Sequence, residues 1–251
     1  MIKPMLAYKV GKKNVDWSEK IFVQPKLDGV RCIFTKDGAF SRTGKQFKNV
    51  AHLEEDLEDF FNDNPNSVLD GELYNHDLKH DFEKIISLVR KTKPTDKDRI
   101  EAGNLVQYHV YDTIAEGVNY EDRYNWLRIN LPIARTMTLI VNTTVDSYDE
   151  AKMLHDVHLA QGYEGSILRT NGFYEQKRSY NLQKFKDFSD TEATITGYEE
   201  GKGKRQGTLG KFLMTDDEGI QFGCPPGKGY TYKDLENMLL NIHDYIGQRA
   251  T

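Results

Sequence analysis

Eight short runs rich in β-branched and aromatic residues, separated by turn residues, constrain this chain most. They are residues 21–25 (IFVQP), 30–35 (VRCIFT), 39–44 (AFSRTG), 67–74 (SVLDGELY), 105–114 (LVQYHVYDTI), 138–145 (TLIVNTTV), 165–170 (GSILRT) and 180–186 (YNLQKFK). Such side chains suit a pleated, half-buried surface, so each run reads as a strand. Helical spacing over 50–63, 81–92 and 148–162 predicts three helices, with Pro94 beyond the second and Gly162 stopping the third. Strands and helices do not alternate regularly. An α+β fold therefore fits better than a doubly wound parallel sheet.

The 251 residues suffice for one large domain or two of ordinary size. With 38% hydrophobic and 29% charged residues, the chain reads as globular with a real core. No apolar run approaches the ~18 residues of a membrane span, so no membrane partner is expected. The N-terminal MIKPMLAYKV lacks a signal-peptide stretch. Cys32 and Cys224 lie far apart in apolar surroundings, which suggests two buried thiols in a reducing, cytoplasmic compartment. His155 and His158, three apart on a predicted helix, read as surface packing.

A boundary is expected near 187–190, giving domains 1–188 and 189–251. Beyond it, residues 191–224 read as three strands with turns at 201–207 and 216–219, and a helix follows over 231–247. That order is how a five-stranded oligonucleotide-binding (OB) barrel begins, and the chain stops at QRAT before a fourth and fifth strand are expected. The net charge of −5 argues against a polyanion-binding surface overall. Residues 176–211 nevertheless carry eight Lys and Arg against five Asp and Glu, either a solvated face or a phosphate-facing groove.

Polar groups recur at the predicted strand ends. Lys26 sits in KLDGVR, between a proline and an Asp-Gly turn. Arg42 sits in SRTG, Glu72 in LDGELY, Tyr111 in VYD, Glu164 in YEGSILR, and Lys184 and Lys186 in LQKFK. Each alone has a bland reading: a surface lysine beside a turn, a turn carboxylate, a core aromatic. Lys184 and Lys186 alternate along one predicted strand, so their ammonium groups face the same side.

In this order and spacing the groups resemble the covalent nucleotidyltransferase motifs of ATP-dependent polynucleotide ligases, from about residue 3 to residue 223. The Asp-Gly-x-Arg form after the lysine is similar to that of DNA ligases, of the minimal viral or bacteriophage type. The resemblance implies an adenylation domain of antiparallel sheets with flanking helices, followed by an incomplete OB-fold domain. It implies a ligase that seals 5′-phosphate/3′-hydroxyl nicks in double-stranded DNA, with ATP and Mg2+ (or Mn2+), as a monomer in the cytoplasm of a bacterium or phage-infected host. Lys26 would carry AMP as a phosphoramidate. Arg31 would contact the nucleotide or the nick phosphate, Arg42 the nick 5′-phosphate, and Tyr111 would stack on adenine. Glu72 would accept from the ribose and share a metal with Glu164, while Lys184 and Lys186 would neutralise the α-phosphate. Asp112 reads as structural. An RNA ligase, a capping-type nucleotidyltransferase, or a truncated nick-binding form shares these features. The family's last motif, a basic segment that orients pyrophosphate, has no counterpart here. Slow adenylylation is therefore expected beside better-preserved closure of a pre-adenylylated nick.

Overall fold

The computed structural model describes residues 2–11, 15–186, 192–227 and 229–250. The chain divides into two compact units, Met1–Asp187 and Phe188–Thr251. The boundary expected at 187–190 lies outside the described residues.

In chain order, the first unit contains β1 (Leu6–Lys9), β2 (Ile21–Lys26), β3 (Val30–Thr35), β4 (Gly38–Ser41), α1 (Ala51–Asp56), α2 (Glu58–Asp63) and β5 (Leu69–Tyr74). Next come α3 (Phe82–Val89), α4 (Asp96–Leu105), β6 (Gln107–Thr113), α5 (Tyr120–Asn130), β7 (Met137–Leu139) and β8 (Thr143–Val145). The unit ends with α6 (Tyr148–Ala160), β9 (Gly165–Thr170) and β10 (Arg178–Phe185). One five-stranded sheet runs β1-β10-β9-β2-β8 and the other β4-β3-β5-β6-β7. Most neighbours are antiparallel; β1–β10 and β6–β7 are parallel. The mixed α and β content agrees with the α+β expectation.

The larger core lies on the second sheet. Phe34, Leu69, Leu73, Tyr108 and Val110 pack there with Leu53, Leu57, Phe60, Phe61, Leu88 and Leu127 from the helices. A smaller core joins Ile21, Val23, Leu168 and Phe185 of the first sheet to Ala151 of α6. Ser147 caps α6 by accepting from the Glu150 amide, and Gly162, at φ +87°, ends the segment in the left-handed region that glycine tolerates.

Several expectations need correction. The run 138–145 is two strands in different sheets: β7 pairs with β6 and β8 with β2. The helix expected over 50–63 breaks at Leu57. Helices α4 and α5 and strand β1 were not anticipated. His155 is fully buried, stacked on Phe185 at 4.2 Å, because α6 packs against the first sheet. Cys32 is buried as expected, but Cys224 is exposed because its strand forms a sheet edge.

The second unit contains β11 (Ala193–Glu200), β12 (Leu209–Asp216), β13 (Gln221–Cys224), α7 (Tyr232–Leu240) and β14 (Arg249–Ala250). Its sheet order is β13-β12-β11-β14. A fourth strand thus exists, contrary to expectation: Ala250 and Arg249 pair with Ala193 and Thr194. The sheet is open, and no closed barrel occurs among the described residues. Its core is small: Ala193, Ile195 and Met214, with Phe212, Tyr245 and Ala250 packed against them.

Candidate active site

Strand register brings the separated motifs of the first unit together. Lys26, the last residue of β2, pairs with Gly165 at the start of β9, and the Glu164 amide donates to the Lys26 carbonyl at 3.1 Å. The Lys26 ammonium therefore meets the Glu164 carboxylate in an ion pair. Lys186, just beyond β10, reaches the other Glu164 oxygen at 2.6 Å. Gly165 adopts φ +145°, and an added Cβ there would meet the Phe185 carbonyl at 2.4 Å, so glycine is what lets β9 and β10 close on this point.

The Asp28-Gly29 turn carries the chain from the first sheet to the second. A Cβ on Gly29 would lie 2.6 Å from both Glu72 Cγ and the Leu73 carbonyl. Glycine at this turn thus serves close approach to β5. On the second sheet Arg31 pairs with Glu72. Between Asp70 and Gly71 the β5–β6 ladder shifts register, leaving Tyr111 as the extra residue. A bulge re-aims its side chain, and here the Tyr111 hydroxyl donates to Glu72 at 3.2 Å.

Lys26, Arg31, Arg42, Glu72, Tyr111 and Lys184 line one cleft of about 290 Å3, near the lower end of ligand-pocket sizes (about 300–1,000 Å3). Glu164 and Lys186 join it through the Lys26 ion pair. A larger cleft of about 590 Å3, beside Trp126, contains none of these residues. Arg42 and Lys184 make no ion pair among the described residues, so the cleft holds positive charge that no carboxylate neutralises.

Electrostatics divides the two glutamates. Burial raises the Glu72 pKa to about 7, with Arg31, Lys26 and the Tyr111 hydroxyl opposing it only in part. Burial also acts to raise Glu164, but hydrogen bonds from Lys186 and Lys26 and their charges together outweigh it and leave its pKa below the ordinary value. Near neutrality Glu72 is balanced between acid and carboxylate, while Glu164 is ionised.

Sequence reasoning missed most of the buried polar and charged groups around the cleft, of which Gln24 and Arg169 are part of its lining. Asp70, fully buried, accepts from Arg31 Nε at 2.8 Å and its terminal nitrogen at 2.5 Å, and from the Tyr174 hydroxyl at 2.6 Å. Arg169 donates to Asp112 at 2.7 Å and to Gln24 at 2.9 Å, and Arg123 donates to Asp112 at 2.8 and 3.1 Å. Arg31 and Arg169 stand 5.3 and 5.4 Å from the Tyr111 ring centroid, within cation–π range. Asp70 had a readable signal: it sits two residues before Glu72, on the same face of a strand. Asp112, read as structural, is fully buried between Arg123 of α5 and Arg169 of β9; the two arginines had no such signal, because only the fold brings them to it.

The match to known proteins is broad. A family model described as an ATP dependent DNA ligase domain covers residues 4–186. The chain is 26% identical to the DNA ligase of Enterobacteria phage T6 over 97% of its own length and 62% of that protein. It is 27% identical to the DNA ligase of Haemophilus influenzae over 84% of its length and 74% of that protein. It therefore spans less than two thirds of the phage relative. Among solved structures, a Lig E DNA ligase, described as binding DNA with a minimal scaffold, superposes with a TM-score of 0.76 at 25% identity, covering 99% of this chain and 91% of that one. The Chlorella virus DNA ligase-adenylate superposes at 0.59 and 22% identity, covering 99% and 93%, a likeness of fold. Because the family model takes in the whole cleft, from β1 to Lys186, the chain belongs to the ATP-dependent DNA ligase domain family.

Proposed function

We propose that this chain seals nicks in duplex DNA through a lysyl-AMP intermediate. The observation that carries this is the convergence of Lys26 with unneutralised Arg42 and Lys184 in one cleft. In the first step the neutral Lys26 amine attacks the α-phosphorus of ATP; a P–N bond forms and pyrophosphate leaves. Lys26 gives up its proton to solvent before attack, once its ammonium leaves the ion pair with Glu164. Lys184 and Lys186 offset the charge that builds on the α-phosphate. A nick 5′-phosphate oxygen, oriented by Arg42, then attacks the same phosphorus and releases Lys26. Finally the 3′-hydroxyl attacks the 5′-phosphorus, and AMP leaves with the bridging oxygen.

Glu72 serves as acceptor for the ribose, and Tyr111 packs one edge of the nucleoside while holding Glu72. Arg31 is held by Asp70 and contributes a fixed positive face. No group of three or more His, Cys, Asp or Glu gathers among the described residues. Mg2+ needs only one or two carboxylates and completes its shell with phosphate oxygens and water, which suits Glu164, with Glu72 as the second donor. When bound, Mg2+ or Mn2+ supplies neutralising charge at the phosphates. We read the second unit as the OB-type partner domain that contacts the duplex.

Two measurements test the proposal: transfer of label from α-labelled ATP to protein, and joining of a nicked duplex. The wild type should take label and seal. Lys26→Ala should do neither, yet should still close a pre-adenylylated nick, because that AMP is already activated. Label on the Lys26→Ala protein would overturn the assignment.

A further inference from the structure

An irregularity interrupts the pairing of β1 with β10 beside the cleft. Leu6 stands opposite Arg178 and Ala7 opposite Ser179; the register then jumps to Tyr8 opposite Gln183. Residues 180–182 are skipped in this ladder, and Tyr180 lies flat against Tyr8, ring centroids 4.0 Å apart and planes 10° from parallel. Arg178 stands 5.7 Å from the Tyr8 ring centroid and donates to the Ala7 carbonyl. Leu6, Ala7, Arg178 and Lys184 line the cleft that holds Lys26, so the stack stands at its rim. Neither tyrosine belongs to the buried clusters that hold this unit together. Tyr180 remains 50% exposed. A large ring ordered by a bulge, outside the core and half in solvent, suits contact with something else.

We infer that the Tyr8–Tyr180 stack is a platform for the end nucleotide of the nicked DNA strand as it enters the cleft. The inference rests on the ligase reading above and adds a recognition surface to it. An aromatic face interleaved with cations suits a frayed or unpaired nucleotide: the ring stacks without regard to sequence, and the cations meet phosphate. The rim carries Arg178, Arg42 and Lys184, none ion-paired among the described residues. That combination of exposed ring and positive charge complements a polyanion with planar bases better than it does an apolar protein surface. A bulge that pairs two rings also fixes the platform before DNA arrives, which lowers the ordering cost of binding.

The test uses the full chain, a fluorescent nicked duplex read by anisotropy over a salt series, and label uptake from α-labelled ATP without DNA. Tyr180→Leu should weaken nick binding roughly five- to a hundredfold, the range for removal of one base–aromatic stack. The slope of log K against log salt should stay unchanged, since no phosphate partner is removed. Tyr180→Phe, which keeps the ring, should bind like the wild type, and both variants should take label normally. Wild-type affinity in Tyr180→Leu would overturn the platform. So would a parallel loss of label uptake, which would mark damage to the fold. A wild type that neither takes label nor binds the nick would defeat the ligase reading itself, and this inference with it.

Discussion

Glu72 shows at single-residue scale what the site costs the fold. Its carboxyl holds a proton up to about pH 7 when folded, against an ordinary value of 4.5. The folded state therefore binds more protons than the unfolded state between those values. By linkage, stability falls as pH rises through that window, and the loss is complete above about pH 7. Glu72→Gln removes the titration and keeps an oxygen for the Tyr111 hydroxyl. The variant should gain on the wild type by an amount that grows from pH 5 to pH 8 and reaches about 1–3 kcal/mol, while its label uptake from ATP falls. Melting temperatures across that pH range decide the point; a difference independent of pH would mean that Glu72 stays ionised throughout.

At the scale of elements, the β11–β12 turn offers the sharpest case. Lys202, Lys204 and Arg205 are exposed there and make no ion pair among the described residues, while the backbone under them is braced: Gly201 donates to the Thr208 carbonyl at 2.9 Å and Gly207 to Glu200 at 2.6 Å. Cations on a fixed turn suit phosphate. Replacing all three by alanine should weaken nick binding and flatten the salt slope by roughly 0.9 for each phosphate no longer neutralised; an unchanged slope would assign the turn to solvent. The same scale shows what the sequence disclosed. The β runs were legible because alternation and β-branched content survive in single strands. Helices α4 and α5 were not: DKDRIEAGNL buries only Ala102, so it lacks an apolar stripe, although Thr95 and Asp98 form a capping box. The run 138–145 looked continuous because nothing in its composition marks the passage from one sheet to the other. Of the cleft residues, those in turn-flanked motifs could be read. Arg123 and Arg169 could not, because a buried charge is recognisable only beside its partner; Asp112, read as structural, is the buried carboxylate that both of them meet.

For the whole molecule, the two units differ in how much holds them together. Met1–Asp187 contains one large core and two smaller ones, whereas among the described residues of Phe188–Thr251 a handful of apolar side chains are buried against a four-stranded sheet. So small a core offsets little of the chain entropy lost on folding, which makes the second unit the weaker one. Unfolding should therefore depart from two-state behaviour, the second unit melting first. The chain supplies its own reporter: both tryptophans, Trp17 and Trp126, lie in the first unit. In a urea titration, far-UV circular dichroism follows both units, while tryptophan fluorescence follows the first alone. Ellipticity should begin to fall at lower urea than the fluorescence shifts, and excess nicked duplex should bring the two curves together if DNA contacts both units, because a ligand that binds only the folded form stabilises what it touches. Coincident curves without DNA would show that the units unfold as one and that the small second core draws its stability from the rest of the chain.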